Sequence, residues 1–202
     1  MNPHLITALH NRMARAVELL DLEATARAAT VLDGVRSSRG IVLAAGNGGS
    51  ASTASHFAAD LVKFTRAPDL PHIRALALTE SVPCHTAWTN DDDPRLALAH
   101  LAEPWLPSAE GCQDAAVIFS VHGGDRSGSV SNNLVELAAY VQKNGGAVVA
   151  VTGFDGGALG ELADVHIGLP VFDEPFATPA VESAHLVIAH ALCLSLSPKE
   201  MA

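Results

Sequence analysis

Residues 40–64 read GIVLAAGNGGSASTASHFAADLVKF, and the fold follows from this stretch. Gly40–Ala45 is a short, continuous apolar run. It ends in Gly46-Asn47-Gly48-Gly49-Ser50, and a helical stretch, Ala51–Phe64, follows. A strand that is apolar on both faces belongs to a parallel sheet covered on both sides. Working outward, the same pattern recurs at Arg74–Leu78, Ala115–Ser120, Ala147–Thr152 and, more briefly, Asp164–Leu169. Helical stretches are expected at Asn132–Asn144 and Thr178–Leu196. Strands alternating with helices predict an α/β fold with a five-stranded, mostly parallel sheet. Upstream, residues 3–36 are helical in pattern, with Leu5, Leu9, Met13, Val17 and Leu20 near one face and a break near Asp21–Glu23. No strand precedes them. Residues 1–36 therefore read as an added arm, packing on the domain or on another subunit, and residues 37–202 as one structural unit.

Composition narrows the function. A chain of 202 residues, half of them apolar and 17% charged, builds one well-buried domain. A net charge of −10 without a basic stripe argues against a nucleic-acid partner. The apolar stretches Leu134–Val141 and Ala147–Val151 are far short of a membrane span. The N-terminus reads as an amphipathic helix rather than a signal segment, so a cytoplasmic location is expected. Cys84, Cys112 and Cys193 form no CxxC pair and read as free thiols.

Ligands of open α/β sheets bind beyond the carboxyl ends of the strands. Two strand-to-helix loops there suit an anion. Gly46–Ser50 lets the backbone approach a phosphate at a helix N-terminus. Ser120-Val-His-Gly-Gly-Asp-Arg-Ser-Gly-Ser-Val-Ser131 places hydroxyls at both its ends, with Ser131 where an N-cap would stand. Neither loop matches GxxxxGK[ST] or a GxGxxG followed by a distant acid, which disfavours P-loop and dinucleotide-binding proteins.

Gly46-Asn-Gly-Gly-Ser-Ala51 with Ser55-His-Phe-Ala-Ala-Asp60, Thr89-Asn90-Asp91, Thr152-Gly-Phe-Asp-Gly-Gly157, and Glu182 with His185 and His190 together resemble the phosphoheptose isomerases of the sugar isomerase (SIS) fold. The resemblance runs over nearly the whole chain. It implies an SIS-type three-layer sandwich with an N-terminal helical arm used in oligomerisation, and a homotetramer. The implied reaction is aldose–ketose isomerisation of sedoheptulose 7-phosphate to a manno-heptose 7-phosphate through an enediol. It also implies substrate contacts at Asn47, Gly48, Gly49 and Ser50, at Asn90 and Asp91, and at Ser120, His122, Ser131 and Glu182. The second loop departs from the family run: His122-Gly123 replaces Ser-Gly, and extra residues, Arg126 among them, are inserted.

His56 and Asp60, at i and i+4, project from one helix face, and Glu182 and His190 lie two turns apart on another. Two imidazoles and two carboxylates suit a divalent metal such as zinc. The family holds zinc here with His, Glu, Gln and His; the corresponding set is His56, Asp60, Glu182 and His190. The resemblance makes Asp60 the base and His190 the acid. Two other readings stand beside it: a non-catalytic SIS protein that binds a sugar phosphate or a replication initiator, and an SIS isomerase for another sugar phosphate.

Overall fold

The computed structural model describes residues 3–127, 130–171 and 175–197. In chain order the elements are α1 (Pro3–Glu18), α2 (Leu22–Ser38), β1 (Ile41–Gly46), α3 (Gly49–Lys63), β2 (Arg74–Ala77), α4 (Val82–Asp91) and α5 (Ala97–Ala102). They continue with β3 (Ala115–Ser120), α6 (Asn132–Lys143), β4 (Ala147–Thr152), α7 (Gly157–Leu162), β5 (Val165–Gly168) and α8 (Ala177–Leu196). The five expected strands are present, and every pairing is parallel, in the order β2-β1-β3-β4-β5. The sheet changes direction of growth between β1 and β3, so the loops after these two strands open on one crevice.

β1 and β3 are buried at every position. Their side chains alternate between two cores, as a period of two requires. Val42, Ala44, Val117, Phe119, Val149 and Val151 face α2, α3 and α8. Leu43, Ala45, Ile118, Val148 and Ala150 face α5, α6 and α7. Phe57 of α3 and Phe119 of β3 are both fully buried and meet edge to face, with ring centres 5.7 Å apart. Burying each ring contributes about 2–3 kcal/mol, and the edge-to-face contact about another 1 kcal/mol.

The break expected near Asp21 is a helix cap: the Asp21 carboxylate accepts the Ala24 N–H at 2.8 Å and starts α2. The apolar stripe of α1 finds part of its cover inside the chain. Leu9, Met13 and Leu20 pack on the α2–α3–α8 core, whereas Leu5 and Ile6 stay exposed. α2 runs past residue 36 and packs on α8, in one core with the sheet.

α8 is the central helix of its layer, touched by α1, α2 and α3. Among the described residues it is the one helix long and apolar enough to cross a membrane, and half of that span is buried in the fold. Its apolar composition is thus accounted for by packing. Its C-terminus is held by Arg36, a buried arginine of α2 that donates to the Leu196 carbonyl at 2.8 Å, a favourable position for a cation at a helix end. Replacing Arg36 by Met keeps an apolar stem but removes the donor. A hydrogen bond from a charged group contributes about 1.5–3 kcal/mol. Arg36→Met should lower the unfolding free energy by that amount, read in urea melts as a lower midpoint with an unchanged slope.

Candidate functional site

A cavity of about 170 Å³ lies at the β1/β3 switch point. It is lined by Asn47 and Ser50 after β1, by Ser120, Val121, His122 and Ser131 after β3, and by Thr178 and Glu182 from the first turns of α8. Both glycine-containing loops therefore meet at one place. Gly48 has φ +56°, a conformation open to glycine at no cost. A Cβ at Gly49 would stand 2.5 Å from a Glu182 carboxylate oxygen, so the glycine leaves room for that carboxylate at the start of α3. Ser131 is the N-terminal flanking residue of α6, with φ +47°, and its side chain makes no cap bond to α6. Its hydroxyl faces the Asn47 amide at 3.4 Å instead.

The second loop is held by its neighbours. Ser120 Oγ accepts the Gly123 N–H at 3.1 Å. The Gly123 and Gly124 carbonyls accept the Leu159 and Ala158 N–H groups at the start of α7, at 2.8 and 3.1 Å. A Cβ at Gly123 would fall 1.8 Å from the Gly156 carbonyl oxygen, which explains a glycine at φ +73°. Arg126 stands outside the serine-lined cavity and pairs with Glu161 at 3.5 Å, both well exposed. Asn90 and Asp91 end α4, exposed and hydrogen-bonded to each other at 2.7 Å. They do not line the cavity.

One residue of this region escaped the sequence reading. Asn133, in the first turn of α6, makes a reciprocal amide pair with Asn47: each side-chain N–H donates to the other's carbonyl oxygen at 2.9 Å. The pair ties the first loop to the helix that follows the second. The only sequence signal was an asparagine just after the Ser131 turn.

Further along the same helices, His56 and Asp60 of α3 meet His190 of α8. His56 Nε2 is 3.1 Å from His190 Nε2 and 3.2 Å from Asp60 Oδ2; His190 Nε2 is 3.7 Å from the same carboxylate oxygen. Ligands of a tetrahedral zinc at 2.0–2.2 Å are separated from one another by about 3.3 Å. Two imidazole nitrogens and a carboxylate oxygen at 3.1–3.7 Å fit such an ion. Beside Asp60 the surface opens into a cleft of about 860 Å³ bordered by Lys63, Arg66 and His72.

Glu182 does not join this group, and the four-ligand expectation narrows to three. Eight residues share a helix face but are separated by about 12 Å along its axis. The Glu182 carboxylate lies instead against Gly49 at the serine-lined cavity. Cys193, one turn beyond His190, stays out of the group's chemistry. Burial, reinforced by the Asp60 carboxylate, pushes its thiol up to about 12. His185 is fully buried, with Nδ1 3.4 Å from Ser50 Oγ and its ring beside Phe119. Burial pushes its pKa down to about 4, partly offset by the Val151 backbone. It is a neutral support beneath Ser50.

Two outcomes follow from this geometry. Asn133→Ala should weaken inorganic phosphate binding about tenfold, with a loss of folding stability near 1 kcal/mol, because one truncation frees the Asn47 amide. Titration calorimetry and urea melts measure the two effects. For His185 the folded pKa lies below the unfolded 6.5, so the unfolded chain takes the proton first. Stability from this residue is full above pH 6.5 and drains as the pH falls to about 4, by on the order of 3 kcal/mol. In His185→Leu that part of the acid slope should vanish from pH-dependent urea melts.

No protein-family model matches the chain. Individual relatives do. The chain is similar to the lincomycin biosynthesis protein LmbN of Streptomyces lincolnensis, at 53% identity over 160 residues covering 79% of this chain. It spans 56% of that protein's length. It is 32% identical to the phosphoheptose isomerase of Aromatoleum aromaticum over 197 residues, 94% of this chain and 91% of that enzyme. Among solved structures, the phosphoheptose isomerase GmhA of Neisseria gonorrhoeae superposes with a TM-score of 0.77 at 26% identity, covering 96% of this chain and 95% of the other. Identity at this level across more than nine-tenths of both proteins, joined to a shared fold, makes the chain an isomerase of the phosphoheptose isomerase family.

Proposed function

We propose that the chain interconverts sedoheptulose 7-phosphate and D-glycero-D-manno-heptose 7-phosphate through an enediol. The observation that carries this reading is the alignment of α3 with α8. One pair of helices holds the serine-lined cavity at its N-terminal end and the His56–Asp60–His190 group further along. From Ser50 to Asp60 the helix rises about 15 Å. A linear sugar with a phosphate at one end and a carbonyl at the other suits two sites so spaced. The hydroxyls of Ser50, Ser120, Ser131 and Thr178 hold the phosphate, and Gly48 and Gly49 offer backbone N–H groups at the start of α3.

The reaction moves a proton between C1 and C2 and a second one between their oxygens. The Asp60 carboxylate takes the proton from C1 of the ketose and returns it to C2. His190 passes a proton from the C1 hydroxyl to the oxygen at C2 through the ring nitrogen that a bound metal would leave free, so the enzyme ends as it began. His56, in contact with both, fixes their orientation. Zinc, held by His56, Asp60 and His190, would supply Lewis-acid polarisation of the carbonyl. Asn90 and Asp91 stand away from the cavity in the single chain; their proposed contact is with the sugar rather than the phosphate. Apolar residues left exposed on α1, α3 and α8 — Leu5, Ile6, Val62, Val187 and Leu194 — support assembly through the helical arm, with a cytoplasmic homotetramer as the proposed form.

A second reading concerns the substrate alone. The higher identity to a lincomycin biosynthesis protein favours a related phosphorylated sugar of secondary metabolism, processed by the same residues. A purely binding role is disfavoured by the contact between Asp60 and His190. The deciding assay follows sedoheptulose 7-phosphate by NMR with and without zinc. Asp60→Asn should lower kcat about 10²–10⁴-fold even at saturating zinc, the usual loss for a general base. His56→Ala should lose activity that excess zinc partly restores. No turnover of this sugar by the unaltered chain, with turnover of another phosphorylated ketose, would move the assignment to the second reading.

A further inference from the structure

The anion cavity has an unbalanced charge. Its lining includes the Glu182 carboxylate, and no lysine or arginine borders it among the described residues. The one side chain there able to carry a positive charge is His122. Arg126, on the same loop, borders an adjoining cavity of about 450 Å³, where it pairs with Glu161. His122 stands on the border of both cavities.

The imidazole is held in place. It stacks on Phe154, with ring centres 4.7 Å apart and planes at 18°. Phe154 has φ +50°, a conformation an aromatic residue rarely adopts. The backbones beneath the two rings are locked together by the close approach of Gly123 to Gly156 and by the Leu159 N–H to Gly123 carbonyl bond. The ring is thus presented to the cavity from a rigid platform.

We propose that His122 is a proton-carrying anion contact: it takes up a proton when a phosphoryl group enters the cavity, so that affinity falls as the pH rises. This rests on the reading of the cavity as the phosphate end of the substrate site. A dianion brought in front of Glu182 favours the charged form of the nearest histidine, and histidine is the side chain that changes charge between pH 5 and 8. The other charges facing the imidazole act in the same sense or cancel. Glu182 of α8 faces it across the cavity; Asp125 of its own loop, Asp155 before α7 and Glu161 of α7 border the adjoining one, with Arg126 neutralised by Glu161. Binding therefore consumes up to one proton, and affinity loses up to tenfold per pH unit while the histidine is being discharged.

Inorganic sulfate is the probe, because it stays dianionic where a phosphate ester loses its second proton, near pH 6. Titration calorimetry of the full chain between pH 6 and 8, in two buffers of different ionisation enthalpy, reads affinity and proton uptake together. The unaltered chain should bind about tenfold more weakly at the upper limit, with proton uptake of about half a proton that peaks between the two limits and falls off towards each. His122→Gln should bind with the weaker affinity throughout and take up none, its folding checked by thermal unfolding. Glu182→Gln should bind more tightly at every pH and keep the slope. A flat profile in the unaltered chain, an unchanged slope in His122→Gln, a slope lost only in Glu182→Gln, or no sulfate binding at all each overturns the proposal. Sedoheptulose 7-phosphate turnover is measured separately. An active enzyme with flat sulfate binding refutes the role of His122 alone, and pH-linked sulfate binding without turnover refutes the isomerase reading of this substrate alone.

Discussion

Everything this chain does chemically depends on how closely α3 lies along α8. The two helices run side by side, with Gly49 against Glu182, Ser50 against His185 and His56 against His190. Small residues permit the approach: Ala54 and Ala58 on α3, and Ala180, Ala184 and Ala189 on α8, are buried in the layer they share. Because helices are rigid over this length, fixing one contact fixes the rest. The serine-lined cavity and the His56–Asp60–His190 group are two ends of one packed seam, and their separation is set by helix rise rather than by loop conformation.

The loops complete what the seam begins. An acidic protein has no general attraction for a phosphate, so the proposed attraction is local, from hydroxyls, helix N-termini and a single histidine. Those groups work only if they are held. The Asn47–Asn133 pair joins the first loop to α6, and glycine-to-backbone contacts join the second loop to the turn before α7. Arg126, among the inserted residues of the second loop, pairs with Glu161 away from the cavity.

The strands were legible because each is a continuous apolar run closed by a glycine or a polar turn, a pattern few other structures produce. α4, α5 and α7 were not. α4 buries none of its residues, and α5 and α7 are six residues long, too short to show a period. The His56–Asp60 pair was legible because i, i+4 neighbours meet in any helix. The place of Glu182 apart from that pair was not legible for the complementary reason: helical periodicity reports which face a residue occupies, not how far along the axis it sits. Asn133 was illegible, since its partner lies 86 residues away.

The sequence by itself determined the layers of this protein, the strand-ending loops rich in glycine and serine, and the family resemblance from which the proposed roles of Asp60 and His190 come. These are local properties: hydrophobic period, turn chemistry, and motifs in order along the chain. Only the tertiary structure decided the strand order that brings the β1 and β3 loops to one crevice. It alone separated Glu182 from the histidines and set His122, stacked on Phe154, as the one imidazole bordering the cavity among the described residues. Those facts depend on which distant surfaces come within a few ångströms of each other. That is fixed by packing two helices and two loops against a common sheet, and no window of sequence contains it.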